Sequence, residues 1–373
     1  MKSDLHVIER NFLRLLRSGT FGGQDPLEPL SPWKWKRLYQ IALMHGVGAL
    51  VYDGIRNYKD DFFLQLDSKQ REQWEKTADD TERNNQEANI AIAELFNELN
   101  HQQVRPILLK GQSFAQLYPI PGHRTCGDID IYFPYPAQAD KADLWAKNHC
   151  TSIENCSNGT VSYQFRHFKI EHRRQLQKLT NPILNKRLQQ IISQETRCCD
   201  SCYTCINGIK VECIPHTVNL LVMLVRITRY ILNEGISLKQ IIDLGMFLRK
   251  EGDKVDYVKL QMWLTQLHMQ SMAQMIGSLL VIFFLFSKDE IPFMSTGKRI
   301  DVSAVTAEVF RISGNHSYEW YFTQGKDIFV RSSNSSAMFW QMRHSTRYFR
   351  YYPSEMTTNF LTTFAQSLSH IEE

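Results

Sequence analysis

The sequence predicts an α+β fold in which a small mixed sheet lies between two helical regions. Apolar residues recur at helical spacing towards both ends of the chain. In the middle the period becomes that of strands, first at Val104–Leu109 and then, as a clear alternation, at Val161–Arg173. We therefore expect an N-terminal helical region (1–100), a central domain of strands and helices (101–215) and a C-terminal helical domain (216–373).

The composition is that of an ordinary globular protein, with 43% hydrophobic and 22% charged residues. A net charge of +4 is too small to indicate a nucleic-acid-binding protein by itself. The strongest apolar run, Met275–Phe286, is shorter than the roughly 20 residues of a membrane-spanning helix, so it predicts a buried helix. The first residues lack a signal-peptide pattern, and we expect a cytoplasmic protein with reduced thiols and no membrane partner.

Each helical region contains several predicted helices. In the N-terminal region Leu5–Leu16 is amphipathic, Ser31 is a plausible N-cap followed by proline, and a long polar helix covers about Asp67–Asn100. In the C-terminal region helices are expected at Asn219–Leu232, Leu238–Arg249 and about 255–268 and 271–286.

The central region alternates between the two element types. The expected elements are a strand at 104–109, a short helix at 112–118, a strand at 127–133, a helix at 137–148, a strand over Val161–Arg173, a helix at 181–195 and a hairpin that turns at Asn207-Gly208. In that hairpin Ile206 pairs with Ile209, and Cys202 lies opposite Cys213.

The chain has eight cysteines, and five of them cluster near the hairpin: Cys198, Cys199, Cys202, Cys205 and Cys213. The spacing of Cys199, Cys202 and Cys205 is compatible with zinc or an iron–sulfur cluster. A redox pair and a set of small buried side chains are the other two interpretations. Four metal ligands on two short strands would be crowded, which favours buried side chains.

Two aspartates follow a short apolar run and are separated by one residue. In a strand Asp128 and Asp130 share one face, while Ile129 and Ile131 share the other. Two carboxylates held against a core repel each other unless a cation lies between them. An Asp-x-Asp pattern alone is weak. The preceding strand with its glycine turn at Gly111, and a polar-faced strand downstream, make a metal site the favoured interpretation.

This pattern suits phosphoryl transfer, which in two-metal sites uses divalent cations about 4 Å apart. Asp128 and Asp130 are the candidate shared ligands, and Glu171 is the candidate third carboxylate from an adjacent strand. Gly111 would let backbone N–H groups approach a phosphate. Lys110 and Arg124 are candidates to neutralise phosphate charge, and Ser113 to donate a hydroxyl. As an alternative, Lys110 and Arg124 are solvated loop charges.

The order of these motifs resembles the bacterial uncharacterised nucleotidyltransferase family, which belongs to the polymerase-β-like nucleotidyltransferase superfamily. The matching stretches are Leu108-Leu109-Lys110-Gly111, Leu117-Tyr118-Pro119, Arg124, Gly127 to Ile131, His45-Gly46-Val47, Ile170-Glu171-His172 and Gly235 to Asp243. The resemblance implies that Asp128, Asp130 and Glu171 bind two Mg²⁺ (or Mn²⁺) ions and that a nucleoside triphosphate (NTP) such as ATP is the donor.

This chain departs from the pattern at three places, and one of them is a gap from Gly111 to Asp128 that is longer than usual. The superfamily commonly has Gly-Ser or Gly-Gly at the turn, whereas here Gln112 follows Gly111 and Ser113 comes one place late. Family members often carry an aromatic residue after the histidine, whereas this chain has Arg173 and Arg174.

The leading functional hypothesis is a Mg-dependent transfer of a nucleoside monophosphate from NTP to a hydroxyl, with release of pyrophosphate. The acceptor is left open among tRNA, a protein, a sugar and a small molecule. One alternative is a catalytically silent regulator that senses NTP. The other is an RNA-binding or toxin-like protein that acts through the arginine and aromatic residues after Phe329.

Three further polar residues carry expectations. Asp243 lies in an apolar helix and needs a partner, for which Arg226 or Arg229 is expected. His172 shares the apolar face of its strand and is expected to be a hydrogen-bonded core residue, while His167 is a weaker candidate to approach the metal cleft.

Overall fold

The computed structural model describes residues 5–155, 159–198, 202–294, 300–310 and 346–369. Within these ranges the chain has the predicted α+β architecture, with seven strands in one mixed sheet and many helices. The described residues form two compact units: those within 1–176, 192–220 and 242–255 form the first, and those within 177–191, 221–241 and 256–373 form the second. These units reflect how the chain packs. The predicted boundaries at residues 100 and 215, which separate the central domain from the two helical regions, stay a prediction.

The N-terminal residues are helical, as predicted, and form α1 (Val7–Phe21), α2 (Pro32–Met44), α3 (Gly48–Asn57) and α4 (Ser68–His101). Asp67 caps α4, because its side chain accepts a hydrogen bond from Gln70 N at 2.7 Å. Helices α1 and α3 cross closely at two glycines. A Cβ at Gly19 would lie 1.9 Å from Leu50 O, so this crossing requires a residue without a side chain.

The sheet lies in the first unit and is built from short strands: β1 (Ile107–Leu108), β2 (Ile129–Tyr132), β3 (Thr151–Asn155), β4 (Val161–Phe165), β5 (Phe168–Arg173), β6 (Cys202–Ile206) and β7 (Ile209–Cys213). Their order is β3-β4-β5-β2-β1-β7-β6. The pairs β2–β5 and β1–β7 are parallel, and the other neighbours are antiparallel. Helix α5 (Gln112–Ala115) lies between β1 and β2, and α6 (Pro136–His149) lies between β2 and β3.

Three strand predictions need correction. The stretch Val161–Arg173 is a hairpin of two strands, because the chain reverses at 166–167, where Arg166 adopts a left-handed φ of 54°. Strand β3 was not predicted, since its polar residues give no apolar alternation and lie at an exposed sheet edge. Strand β1 has two residues instead of the predicted 104–109. The cysteine hairpin was predicted correctly, including both residue pairs.

The core that supports the site lies between the sheet and helices α4 and α6. Helix α4 contributes Leu95 and Phe96, and α6 contributes Trp145. The inward-facing strand residues Ile131 and Ile170 are fully buried in the same cluster. Because the apolar faces of β2 and β5 are anchored in this way, the acidic side chains Asp130 and Glu171 are directed to the opposite face of the sheet.

Helices α7 (Pro182–Cys198), α8 (His216–Arg229) and α9 (Leu238–Glu251) have residues in both units. The second unit also contains α10 (Tyr257–Gln266), α11 (Gln270–Phe284), α12 (Ser303–Phe310) and α13 (Pro353–Ser369). Helix α11 includes most of the apolar run and is buried, as predicted. No helix in the described ranges combines the length and apolar character that a membrane crossing needs.

The described part of the C-terminal tail contributes to the core of the second unit. Tyr348 and Tyr352 are fully buried, and the hydroxyl of Tyr352 donates to Leu267 O at 2.8 Å. Arg347 forms an ion pair with Glu308. These aromatic residues are therefore packed rather than displayed for stacking. Phe349 and Arg350 of the same tail are exposed, so their contact with RNA stays a prediction. Arg331, Trp340 and Arg343 lie outside the described residues.

Candidate active site

Three acidic residues meet where β2 and β5 run side by side. Parallel pairing places Asp130 directly beside Glu171, and Asp128 immediately precedes β2. Asp130 is buried, whereas Glu171 and Asp128 are half-buried. The alternation of β5 puts Ile170 and His172 on the core side and leaves Glu171 on the other. The structure thus brings together the three carboxylates that the sequence predicted as neighbours.

Three basic side chains surround these carboxylates. Lys110 Nζ lies 3.0 Å from Oδ2 of Asp130, and Lys169 Nζ lies 3.0 Å from Oε1 of Glu171. The guanidinium of Arg173 contacts Oδ1 of Asp130 through Nε and Oε2 of Glu171 through Nη2. The formal charges of the three acids and the three bases therefore cancel.

The two aspartates have pKa values shifted in opposite directions. Burial acts to raise the pKa of Asp130, but the charges and hydrogen bonds of Lys110 and Arg173 outweigh it and lower this pKa to about 2. The pKa of Asp128 is raised, first by burial and then by the charge of Glu171. No basic residue of the described ranges makes an ion pair with Asp128. Opposite shifts in adjacent acids are common where one group carries charge and another exchanges a proton.

The glycine turn between β1 and α5 opens beside this cluster. Gly111 has a φ of 73°, which favours glycine, and a Cβ built on it would meet nothing within 4 Å. Its backbone therefore faces open space. Ser113 donates its hydroxyl to Leu109 O at 3.1 Å, inside its own turn.

Arg124 is buried and forms a two-pronged ion pair with Asp243 of α9. Its Nε donates to Oδ1 and its Nη2 to Oδ2, both at 2.7 Å. Its Nη1 donates to Gly111 O at 3.1 Å, and Tyr118 donates its hydroxyl to Asp243 Oδ1 at 2.7 Å. The prediction that Asp243 pairs with an arginine is confirmed, although Arg124 was not among the arginines named for it. Arg124 holds the glycine turn from within the core, and its guanidinium is already engaged there.

Gln112, the unexpected residue after the glycine, is also a buried anchor. Its Nε2 donates to Oδ1 of Asn85 on α4 at 2.9 Å. Asn85 in turn donates to Gly122 O at 2.6 Å and Arg124 O at 3.0 Å. This network fixes the loop from Gly111 to β2 against α4. The long polar side chain of Gln112 therefore has a structural role, because it connects the glycine turn to α4 through Asn85.

The two histidines of the β4–β5 hairpin have different surroundings. His172 is buried, as predicted, with Nδ1 2.8 Å from Oδ1 of Asp143 and Nε2 2.8 Å from the hydroxyl of Tyr163. Burial lowers the pKa of His172 despite the opposing effect of Asp143. His167 lies in the turn and pairs with Glu87 on α4 at 2.9 Å, so it does not join the carboxylate cluster.

At the cysteine hairpin, the structure adds a residue that the sequence reasoning missed. Cys202 Sγ lies 3.0 Å from Nδ1 of His216, and Nε2 of His216 lies 2.9 Å from Oε2 of Glu251. The available signal was the spacing of Cys213 and His216, which repeats that of Cys199 and Cys202. Burial raises the pKa of the Cys202 thiol, and burial raises that of Cys213 to about 12.

Comparison with known families identifies the group to which this architecture belongs. The profile described as uncharacterised nucleotidyltransferase matches residues 31–284, which is about two thirds of the chain. The chain belongs to this nucleotidyltransferase family. Neither the curated proteins nor the solved structures contain a significant match. The matched region includes the glycine turn, all three carboxylates and Asp243.

The resemblance seen in the sequence implies divalent cations, and Asp128, Asp130 and Glu171 offer ligand atoms of the type that such ions take. Carboxylate oxygens are the ligands that Mg²⁺ prefers. Within the described part of the chain, Oδ2 of Asp130 is buried and accepts no well-directed hydrogen bond, although Lys110 lies close to it. In the arrangement seen here, however, no group of three acidic, histidine or cysteine side chains among the described residues converges closely enough to hold a metal ion. Asp130 and Glu171 are instead paired with Lys110, Lys169 and Arg173.

Proposed function

We propose that this nucleotidyltransferase moves a nucleoside monophosphate from an NTP to a hydroxyl acceptor and releases pyrophosphate. The observation that carries the proposal is the placement of Asp130 beside Glu171 on parallel strands, next to an open glycine turn, in a chain of this family. A polymerase-β-like fold is part of the proposal. The acceptor belongs to the class of hydroxyl compounds, which includes tRNA, proteins, sugars and small molecules.

In the proposed reaction the acceptor oxygen bonds to the α-phosphorus as the bond from that phosphorus to the bridging β-phosphate oxygen breaks. The proton of the acceptor hydroxyl passes to a carboxylate. Pyrophosphate leaves with the electron pair of the broken bond. The protein contributes position and charge rather than a covalent intermediate.

The proposed roles of the other residues follow from their positions. Asp128, Asp130 and Glu171 would hold two Mg²⁺ or Mn²⁺ ions, which would supply Lewis-acid activation and charge neutralisation. Gly111 offers an open backbone to a phosphate, and Lys110 offers a half-exposed ammonium group beside it. Ser113 would have to give up its bond to Leu109 O. Arg124 acts by fixing Gly111 and not by direct phosphate contact, since each of its three guanidinium nitrogens donates a hydrogen bond within the core.

The first experiment measures thermal stabilisation by each of the four NTPs with Mg²⁺ or Mn²⁺, followed by pyrophosphate release in the presence of candidate acceptors. We expect a metal-dependent shift in wild type and none in Asp128→Asn/Asp130→Asn. Asp80→Asn, at an exposed position of α4, is the matched control and should behave as wild type. Equal shifts in wild type and the double variant would place the nucleotide elsewhere and remove the proposal.

A regulator that binds NTP without transferring it is the second candidate. It is favoured by the contact of Arg173 with two of the three predicted metal ligands. Metal-dependent NTP binding without pyrophosphate release, over acceptors of all four classes, would support this function. Release of pyrophosphate that requires Asp128 would exclude it.

A further inference from the structure

The position between the paired carboxylates is filled by a cation that the chain itself supplies. Arg173 lies two residues after Glu171 on β5, so both side chains leave the same face of the sheet. Asp130 on the adjacent strand faces the same space. Among the described residues Arg173 is the one side chain that contacts both Asp130 and Glu171, whereas Lys110 and Lys169 each contact one of them.

This contact changes what a metal ion meets when it approaches. A guanidinium keeps its charge at all accessible pH values, so it cannot leave the site by losing a proton. A divalent cation placed between Asp130 and Glu171 would be repelled by Arg173 and would compete with it for the same oxygens. Binding of the free ion must therefore include the cost of moving the guanidinium away.

A triphosphate removes that cost because it offers Arg173 a new partner. Guanidinium groups bind phosphate oxygens in the same forked geometry in which they bind carboxylates. Arg173 is about a quarter exposed, at 27%, so one side of its side chain reaches solvent without disruption of the core. With the guanidinium on the triphosphate, Oδ1 of Asp130 and Oε2 of Glu171, which Arg173 contacts in the structure, become available to metal.

We propose that Arg173 is the counter-ion of the metal-free site and passes from the carboxylates to the triphosphate, so that metal and NTP bind together. The inference rests on the proposed function, because it requires that the carboxylates bind metal. It also accounts for the lack of a ready metal-binding group among the described residues. By linkage, nucleotide must raise the affinity for metal by the same factor by which metal raises the affinity for nucleotide.

The test uses one variant and two binding measurements of opposite expected sign. Binding of Mn²⁺ alone is followed by the electron paramagnetic resonance signal of the free ion, and Arg173→Gln should bind it at least about tenfold more tightly than wild type, or about 1.4 kcal/mol. The second measurement is the affinity for the NTP that wild type binds most tightly, determined by equilibrium dialysis at saturating Mn²⁺. Arg173→Gln should bind this NTP at least about tenfold more weakly than wild type does. General damage to the site would weaken both.

Two controls make the result specific. Arg166→Gln removes an arginine from the same hairpin that pairs with Glu94 at the surface, and it should leave both affinities unchanged. Arg173→Lys keeps the charge but not the fork, and it should lie between wild type and the glutamine variant. Circular dichroism and thermal unfolding show whether Arg173→Gln folds. If it does not fold, the same two affinities are compared between wild type and Arg173→Lys.

The outcomes separate this inference from the proposed function. If Arg173→Gln and wild type bind Mn²⁺ equally, while Asp128→Asn/Asp130→Asn does not bind it, the carboxylates take metal but Arg173 does not compete, and the inference fails alone. If no form of the protein binds Mn²⁺ with or without nucleotide, the inference and the metal-dependent function fail together. Wild type whose Mn²⁺ affinity is unchanged by NTP would also overturn the inference.

Discussion

Arg124 and Asp243 form a buried ion pair across 119 residues of sequence, with both donor–acceptor distances at 2.7 Å. The pair joins the loop before β2 to helix α9, and a third donor of the same guanidinium reaches Gly111 O. The turn that defines the site is therefore positioned by a contact made far along the chain. Loss of either partner leaves the other charge buried, which is costly.

We predict that Arg124→Met lowers the free energy of unfolding by about 3–5 kcal/mol. The double variant Arg124→Met/Asp243→Leu should lose less than the sum of the single variants, because no charge is left alone in the core. Urea unfolding measures both. The matched control is Arg83→Met, whose exposed partner Asp80 is 3.5 Å away, and its cost should stay within about 1 kcal/mol. A similarly small cost for Arg124→Met would contradict the prediction.

A second buried pair gives a pH-dependent stability. Nδ1 of His123 lies 2.8 Å and 2.9 Å from the two carboxylate oxygens of Asp53. This hydrogen bond raises the pKa of His123 above its ordinary value of 6.5, against the opposing effect of burial. The folded state therefore binds the proton more tightly than the unfolded chain does. The stabilisation is fully present below the unfolded pKa and is lost as the pH rises through the folded pKa.

We accordingly expect His123→Gln to cost more free energy of unfolding at pH 5.5 than at pH 9, measured by urea unfolding at both pH values. His167→Gln is the control, since its pair with Glu87 is exposed and should show little difference. An equal cost for His123→Gln at the two pH values would show that its charge does not stabilise the fold.

The thiols should differ strongly in reactivity. The thiolate is the nucleophile, and burial raises the pKa of Cys150 to about 11 and that of Cys213 to about 12. Cys205 is exposed. Iodoacetamide labelling followed by peptide mass spectrometry should modify Cys205 at least about tenfold faster than Cys213 at pH 8. The rate at Cys213 should continue to rise above pH 9, and a plateau near pH 9 would contradict this assignment.

Local patterns in the sequence predicted the elements that carry the site but not the contacts that complete it. Alternation placed Glu171 on a polar strand face, and the Asn-Gly turn fixed the register that puts Cys202 opposite Cys213. Both depend on residues close together in the chain. The partner of Asp243 was missed because it lies 119 residues away, and nothing in an apolar helix indicates which distant arginine reaches it.

Arg173 was missed for a different reason. The alternation showed that it shares the face of Glu171, but a basic residue on an outward face usually remains solvated, and position alone does not reveal a bridge between strands. The turn at Arg166 was missed because it contains none of the glycine, proline or asparagine residues that mark reversals. The missed turn at Arg166 and the missed contact of Arg173 are linked. If Val161–Arg173 were one long strand, β4 would not pair with β5 and would not fix the position of Arg173.

The last prediction separates the two aspartates, which have equal places in the sequence motif but different surroundings. Asp130 is the partner of Lys110 and Arg173, so Asp130→Asn should lower the free energy of unfolding by about 2–4 kcal/mol. Asp128 has a raised pKa, which means that folding disfavours its charge, and Asp128→Asn should keep or slightly increase the stability of the nucleotide-free protein. Both variants should lose turnover by about a thousandfold or more, because each removes a carboxylate of the proposed site.

Urea unfolding and pyrophosphate release, measured on the same preparations, test the two effects separately. Full turnover in Asp128→Asn would remove this residue from the chemistry, and full stability in Asp130→Asn would show that the network around Arg173 does not contribute to the fold.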